Sequence, residues 1–457
     1  MNSVHFLPGL DMGPSTDTTG TGIRPAPDHR ATARTVEAVW RIESARLIAA
    51  LSRQTGDLGL AEEISQDALV KALETWPKAG IPDDPFSWLL VTARNAGIDR
   101  IRRDRKLREK YAEAGLELEL SAGAEEPGPD RGPLDPEALG DDLLGLIFTA
   151  CHPVLTVDSR VALTLRVLGG LSTAEIARAF LVTPTAAAQR ISRAKRTLAD
   201  AGVRFRVPEA EEMWERLGAV LGVIYLIFNE GYAATTGPDW TRPELCREAL
   251  RLGRILNSLI PDESEVQGLL ALMEIQASRI RSRSGADGQA LLLEEQDRST
   301  WDRLLIRRGL AGTDRAMSVA DPGPYALQAA IASCHARAPA FEDTDWKEMV
   351  ILYDRLLKLR PSPVIELNRA IAVSRAEGPE AGLAALKECA AGGRLDGYHP
   401  LPAARGDMLG RLGQHAEAAV EFRRAAELAG NEVEERILRS RAEVFESMSK
   451  PGAPVRP

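Results

Sequence analysis

The stretch LSTAEIARAFLVTPTAAAQRISRAKRTL, residues 171–198, holds the most legible chemistry in the chain. That chemistry is recognition of a polyanion rather than the making of bonds. Ser172 and Glu175 have the spacing of a capping box, and Ile176, Ala177 and Phe180 supply a buried face. Residues 181–183 read as a turn, Thr183 as the cap of a second helix and Pro184 as its first residue. Along that helix Ala187, Ile191, Ala194 and Leu198 form one apolar stripe. The opposite face carries Thr185, Ala188, Gln189, Ser192, Arg193 and Arg196. A helix-turn-helix sets the N-terminal half of its second helix against base edges in the major groove. Thr185, Ala188 and Gln189 are placed to read bases, since Gln pairs with adenine and Ala touches the thymine methyl. Arg190, Arg193, Lys195 and Arg196 are placed for phosphates, which position a helix without specifying sequence. The plainer alternative is an amphipathic hairpin with a solvated basic face.

A second cluster lies at residues 60–106, LAEEISQDALVKALETWPKAGIPDDPFSWLLVTARNAGIDRIRRDRK. In its first helix Glu63, Gln66 and Asp67 share one face, which solvation alone could explain. A second helix, opening near Pro85, carries Trp88, Arg94, Asn95, Arg102 and Arg103. Residues 94–110 hold eight basic side chains and three acidic ones. An aromatic among cations suits single-stranded DNA, whose bases stack on rings while cations track the backbone.

These basic clusters sit in a chain of 457 residues with formal charge −9. Its length suggests two to four domains. Ala, Leu, Arg and Glu dominate and aromatics make up only 5%, a composition that favours helix. Residues 111–142 contain ten acidic side chains and one basic, with a Pro/Gly-rich core that cannot sustain a helix. Composition alone makes this segment a solvated tether. Near the C-terminus, Gly413, Ala418, Phe422 and Ala425 fall at the small and aromatic positions of a tetratricopeptide repeat. Tyr353 and Phe422 stand 69 residues apart and Gly378 and Gly413 stand 35 apart, close to multiples of the 34-residue period.

Together the two clusters resemble the extracytoplasmic-function sigma factors, group 4 of the sigma-70 family of bacterial RNA polymerase. AEEISQDAL resembles that family's acidic-x-x-Gln-acidic motif, which implies docking of Glu63, Gln66 and Asp67 on the polymerase β′ clamp helices. FSWLLVTARNAGIDRIRRDRK resembles its promoter-melting segment. By the same resemblance the loop 77–86 holds a flipped base of the −10 element, with Lys78, Ile81, Trp88, Arg94, Asn95, Arg102 and Arg103 on −10 DNA. The helix-turn-helix then becomes the −35 reader, with Thr185, Ala188, Gln189, Arg190, Ser192, Arg193 and Arg196 on DNA. The run TPTAAAQR departs from the family's more polar recognition helix, so no −35 sequence is inferred. The acidic linker, by resemblance, threads the basic channel that later holds RNA. Polymerase supplies much of the electrostatic affinity for DNA, which reconciles an acidic chain with a promoter function.

YLIFNEGYAATTG, LCREALRLGRIL, QDRSTWD and GPYALQAAIASCHA resemble the subgroup with a long C-terminal tetratricopeptide-like extension. The expected fold is all-α: two small helical DNA- and polymerase-binding domains, an acidic linker, then a solenoid of helical hairpins. The expected divisions are 1–34, a disordered N-terminus; 35–110, polymerase docking and −10 melting; 111–142, the linker; 143–206, the −35 reader; 207–340, a helical extension; and 341–450, the repeats. The extension is expected to regulate the core in cis. Asn229, Glu230 and Tyr232 are candidates for that contact, or simply hydrogen-bonded residues at a helix end. Expected partners are core polymerase, through the β′ clamp helices and β flap, promoter DNA, and a protein bound by the repeats.

The rival is a stand-alone helix-turn-helix regulator with a repeat-based sensor, which would need neither the Glu63/Gln66/Asp67 face nor the Trp88 helix. Enzyme function is not expected, since the chain lacks phosphate-loop, nucleophile-elbow, zincin and dinucleotide fingerprints. No cofactor or metal is expected. Cys151, Cys246, Cys334 and Cys389 are far apart and form no CxxC pair, which suits buried thiols in a reducing cytoplasm. No membrane segment or signal peptide is expected, because LGAVLGVIYLIF at 217–228 is too short to span a bilayer.

Overall fold

Helix-forming residues punctuated by Pro and Gly give helix after helix. The computed structural model describes residues 29–97, 136–180, 182–233, 241–283, 285, 291–391, 393, 395–430 and 432–449, and among these there are helices and no strand. Of the tail expected to be disordered over 1–34, residues 1–28 lie outside the described residues and 29–34 are instead helical. Of the linker expected over 111–142, residues 111–135 lie outside them and 136–142 are instead helical, Pro136 being tolerated at a helix start. Arg102 and Arg103 also lie outside the described residues.

Three helices open the described chain: α1 (His29–Thr55), α2 (Leu58–Ala79) and α3 (85–97). Asp57 caps α2 by accepting from the Gly59 and Leu60 amides. Their own core includes Leu47, Leu51, Ile64, Trp76, Phe86 and Leu89, all nearly inaccessible. One expectation needs correction. The loop read at 77–86 is shorter, because α2 continues through Pro77 to Ala79 and α3 begins at 85. Pro77 forfeits only one late helical hydrogen bond. The turn is held instead by buried Trp76, edge-on to Trp88 at 5.4 Å, and by the Gly80 amide donating to the Trp76 carbonyl. Gly80 has φ 89, a conformation that favours glycine.

Four further helices follow: α4 (Pro136–Ala150), α5 (Val157–Val167), α6 (Thr173–Ala179) and α7 (Pro184–Asp200). Then come α8 (Ala210–Tyr232), α9 (Pro243–Leu259) and α10 (Ser264–Ala277). One apolar core runs across the junction at residue 207. It joins Leu146, Phe148, Leu163 and Leu165 to Leu217, Leu221, Ile224, Ile227 and Phe228 of α8. Close approach is built in by glycine. A Cβ on Gly231 would lie 2.6 Å from the Cys246 amide nitrogen, so α8 and α9 could not meet with any side chain there.

After α11 (Arg303–Ala316) and α12 (Pro324–Arg337) the chain becomes a stack of hairpins: α13 (Trp346–Leu359), α14 (Pro363–Ala376), α15 (Pro379–Cys389), α16 (Pro400–Arg411), α17 (His415–Leu428) and α18 (Glu432–Ser449). Proline opens α14, α15 and α16, where its missing amide costs nothing. The small-and-aromatic pattern has its physical counterpart here. A Cβ on Gly406 would sit 3.0 Å from the ring of buried Phe422, which fills the space glycine leaves.

Candidate nucleic-acid interface

The helix-turn-helix forms from the signals that its sequence carries. Ser172 and Glu175 complete a reciprocal capping box, and Thr183 Oγ1 accepts from the Ala186 amide at 3.1 Å. Ala187, Ile191, Ala194 and Leu198 are buried, which fixes the rotation of α7. Thr185, Ala188, Gln189, Ser192, Arg193 and Arg196 therefore face solvent together. Arg190 is half-buried and pairs with Asp158 at 3.6 Å, while Arg196 pairs with Asp200 at 3.5 Å. Both are exposed-type pairs worth little, so phosphates could replace either carboxylate.

Lys195 does not join this face. Its ammonium pairs with Glu62, a carboxylate of α2 that is only 3% exposed. Arg166 of α5 donates to the same carboxylate at 2.7 Å. Burial pushes the Glu62 carboxyl up, but Lys195 and Arg166 outweigh burial and hold it below its usual value. Two further bridges span the same two units: Arg41 to Glu175 at 2.7 Å and Arg53 to Asp142 at 3.3 Å. Sequence reading missed Glu62, although a signal existed. It lies four residues after Leu58 and three before Ser65, on the buried stripe of α2. A charge at a core-facing position demands a partner.

On α2, Glu63 and Asp67 are exposed, whereas Gln66 is half-buried with its amide donating to Glu62. The three expected docking residues thus share one helix, with Gln66 tied to the buried ion cluster. Lys78 is exposed on the last turn of α2 and Ile81 is 42% exposed in the turn that follows. On α3, Trp88 is half-buried against Trp76, Arg94 donates to Gln54 at 3.2 Å, and Asn95 is exposed.

The extension meets this assembly through three arginines. Arg216 donates to the carbonyl of Phe148 at 2.7 Å, Arg242 to that of Ala179 at 2.5 Å, and Arg251 to that of Leu168. These carbonyls lie at or near the C-terminal ends of α4, α6 and α5, where helices leave acceptors unsatisfied and carry partial negative charge. Each arginine is thus a C-terminal cap supplied from a distance. Glu230 pairs with Arg242 and lines a cavity of about 150 Å3 together with Ile176, Phe180, Ala187 and Leu226. Tyr232 stacks on Phe228 at 5.7 Å, and its carbonyl accepts from Arg283. Asn229 hydrogen-bonds Tyr225.

Among the described residues no group of three or more His, Cys, Asp or Glu side chains is placed to hold a metal ion. All four cysteines are buried and reduced, and burial pushes the Cys151 thiol to about 11. Partial burial, with Arg279 and Arg298 nearby, pushes the half-buried His335 imidazole down to about 4. Among the described residues no helix is long and apolar enough to cross a membrane.

Comparison with known proteins agrees with this geometry. Residues 41–107 match the family described as Sigma-70 region 2, and residues 146–198 match Sigma-70, region 4. Residues 216–317 match a family of unknown function, DUF6596. The chain is 47% identical over 390 residues to the uncharacterized protein R00370 of Rhizobium meliloti, covering 85% of this chain and 91% of that protein. It is 27% identical over 177 residues to the probable ECF RNA polymerase sigma factor SigI of Mycobacterium tuberculosis. That similarity covers 38% of this chain and 58% of SigI. With a region 2 match on the helices that carry Glu63, Gln66 and Asp67, a region 4 match on the helix-turn-helix, and the DUF6596 match beyond it, the chain belongs to the extracytoplasmic-function sigma factors and carries a C-terminal helical extension.

Proposed function

We propose that this sigma factor docks on the β′ clamp helices of core polymerase through Glu63, Gln66 and Asp67, with region 4 engaging the β flap. Lys78, Ile81, Trp88, Arg94, Asn95, Arg102 and Arg103 contact the melted −10 element. Thr185, Ala188, Gln189, Arg190, Ser192, Arg193 and Arg196 contact the −35 element. The working units are 35–110, 143–206 and an extension from 207 with repeats over 341–450, acting in the cytoplasm. The extension regulates initiation in cis by holding region 4.

Two observations support the regulatory reading: Glu62 clamped between Arg166 and Lys195 closes region 2 on region 4, and Arg216, Arg242 and Arg251 tie region 4 to the extension. At 1.5 Å per residue, Lys78 stands roughly 24 Å along α2 from Glu62. By the same rise, Thr185 stands roughly 15 Å along α7 from Lys195. Elements centred roughly 25 base pairs apart lie about 85 Å apart on a duplex at 3.4 Å per step. A molecule with Glu62 bound to Lys195 cannot reach both. Initiation therefore requires regions 2 and 4 to part, while Arg216, Arg242 and Arg251 keep region 4 joined to the extension.

Run-off transcription with bacterial core polymerase on genomic fragments tests this reading. Discrete starts that core alone ignores are expected. Gln66→Ala with Asp67→Lys should abolish both the starts and polymerase binding while leaving helical content intact. Unchanged polymerase affinity in that variant refutes the docking assignment. Arg242→Ala with Arg251→Ala should lose −35 protection but retain polymerase binding; intact protection refutes the role of the extension.

A further inference from the structure

Helices α14, α16 and α18 occupy alternate places in the C-terminal stack, and each sends a charged side chain to one spot. Arg375 comes from α14, Asp407 and Arg411 from α16, and Arg441 from α18. Alternate helices of a solenoid line one continuous face, the usual position of an extended binding surface. Into this spot reaches Glu294, carried by the short turn Leu293–Glu295 from well outside the stack. Its carboxylate accepts from Arg375 at 3.2 Å and from Arg441 at 2.8 Å. Asp407 shares both arginines, at 3.2 Å and 3.8 Å.

The arginines are pre-set. Arg375 lies over the Phe341 ring at 5.1 Å and Arg441 over the Phe422 ring at 5.6 Å. A stacked guanidinium loses little freedom when it takes up a carboxylate. Beside Glu294 opens a cavity of about 600 Å3, whose walls include Arg298, Trp301, Arg303, Arg337 and Phe341. Ion pairs that only tie down a loop would need neither stacked arginines nor an adjoining cavity.

We propose that this face is a docking groove for an acidic peptide segment of a partner protein, and that Glu294 is its built-in competitor. A partner carboxylate replaces that of Glu294 between Arg375 and Arg441, and a neighbouring apolar side chain enters the cavity. The groove gives chemical character to the partner expected of the repeats and is independent of promoter recognition.

The test uses full-length protein and a fluorescein-labelled peptide copying residues 290–297, ALLLEEQD, followed by fluorescence polarisation. Glu294→Gln should bind it at least about tenfold tighter than the parent chain. Adding Arg375→Ala and Arg441→Ala should cancel that gain, and a peptide with both glutamates amidated should not show it. Glu294→Asp, which keeps the charge but shortens its reach, should gain roughly two- to fivefold and serves if the first variant misfolds. Unchanged affinity in correctly folded variants overturns the proposal, as does equal binding of the amidated peptide. Self-association of Glu294→Gln in sedimentation, without peptide binding, makes a second copy the occupant and also overturns it. Run-off transcription by the same variants is expected to be unchanged, so failure here is distinct from failure of the sigma assignment.

Discussion

Region 4 is joined to its two neighbours in different ways. To the extension it is welded: α8 alone contributes Leu217, Val220, Leu221, Ile224, Ile227 and Phe228 to the shared core. Burying each such side chain is worth about 1.5–3 kcal/mol. To region 2 it is latched: among the described residues Ala45, Ile48, Ala49 and Leu58 enter that core, and four ion pairs join the same two units. An apolar joint has no charge to exchange, whereas the arginines and lysine of an ion pair can take up the charges of DNA or polymerase instead. On the proposed function, the apolar joint is the one that persists during initiation and the joint rich in ion pairs is the one that opens.

This contrast can be broken at either joint. The largest effect belongs to the welded one. Phe228→Ala should cost about 3–5 kcal/mol, read as a lower urea midpoint. A loss below about 1 kcal/mol would mean that the extension only leans on region 4.

At the latch, Glu62→Gln should weaken closure by about 2 kcal/mol, less than a fully buried pair, because Arg166 and Lys195 are partly exposed. Spin labels at Lys71→Cys and Thr185→Cys should move apart with helical content unchanged, the native thiols being buried. An unshifted distance would leave the apolar contacts as the real fastening. The Glu62 carboxyl is held below its usual value, so its contribution is present above the ordinary glutamate range and is lost as pH falls through the folded value. Acid should open the parent chain and leave the glutamine variant unmoved.

Arg193→Ala should weaken −35 binding in the assembled complex by about 1–3 kcal/mol, seen as a fainter footprint upstream only. An unchanged footprint would return Arg193 to a solvated face.

The smallest effect concerns Asp142, whose carboxyl burial raises to about 6 despite Arg53. A raised carboxyl favours the fold below its unfolded value and loses that contribution as pH rises through about 6. Asp142→Asn should therefore stabilise the protein by about 1 kcal/mol at pH 7.5, after allowance for solvent screening. The gain should shrink at pH 5. A constant difference in Tm across that range would assign the effect to packing.

Much of this molecule was legible in its sequence because the signals are local. A capping box, a cap followed by proline, and an apolar stripe at helical spacing each act within a turn or two. They determined α6 and α7 down to the residues that face outward. Small-and-aromatic spacing likewise announced the C-terminal hairpins. The extent of the turn after α2 was misjudged because its length depends on Trp76 packing against Trp88, a contact between two helices.

What the sequence alone could not decide is which distant charges meet. Glu62 and Arg166 are 104 residues apart, Arg216 and Phe148 68, and Arg441 and Glu294 147. Pattern shows that a buried glutamate or a helix end needs a partner, but not which of 57 basic side chains provides it. Only the packed fold makes that choice, because ion pairing falls off over a few ångströms while chain connectivity leaves those separations free. The sequence by itself determined the parts and their faces. Tertiary structure decided which of them meet: Glu62 with Arg166 and Lys195, the α8 side chains with the core of region 4, and Glu294 with Arg375 and Arg441.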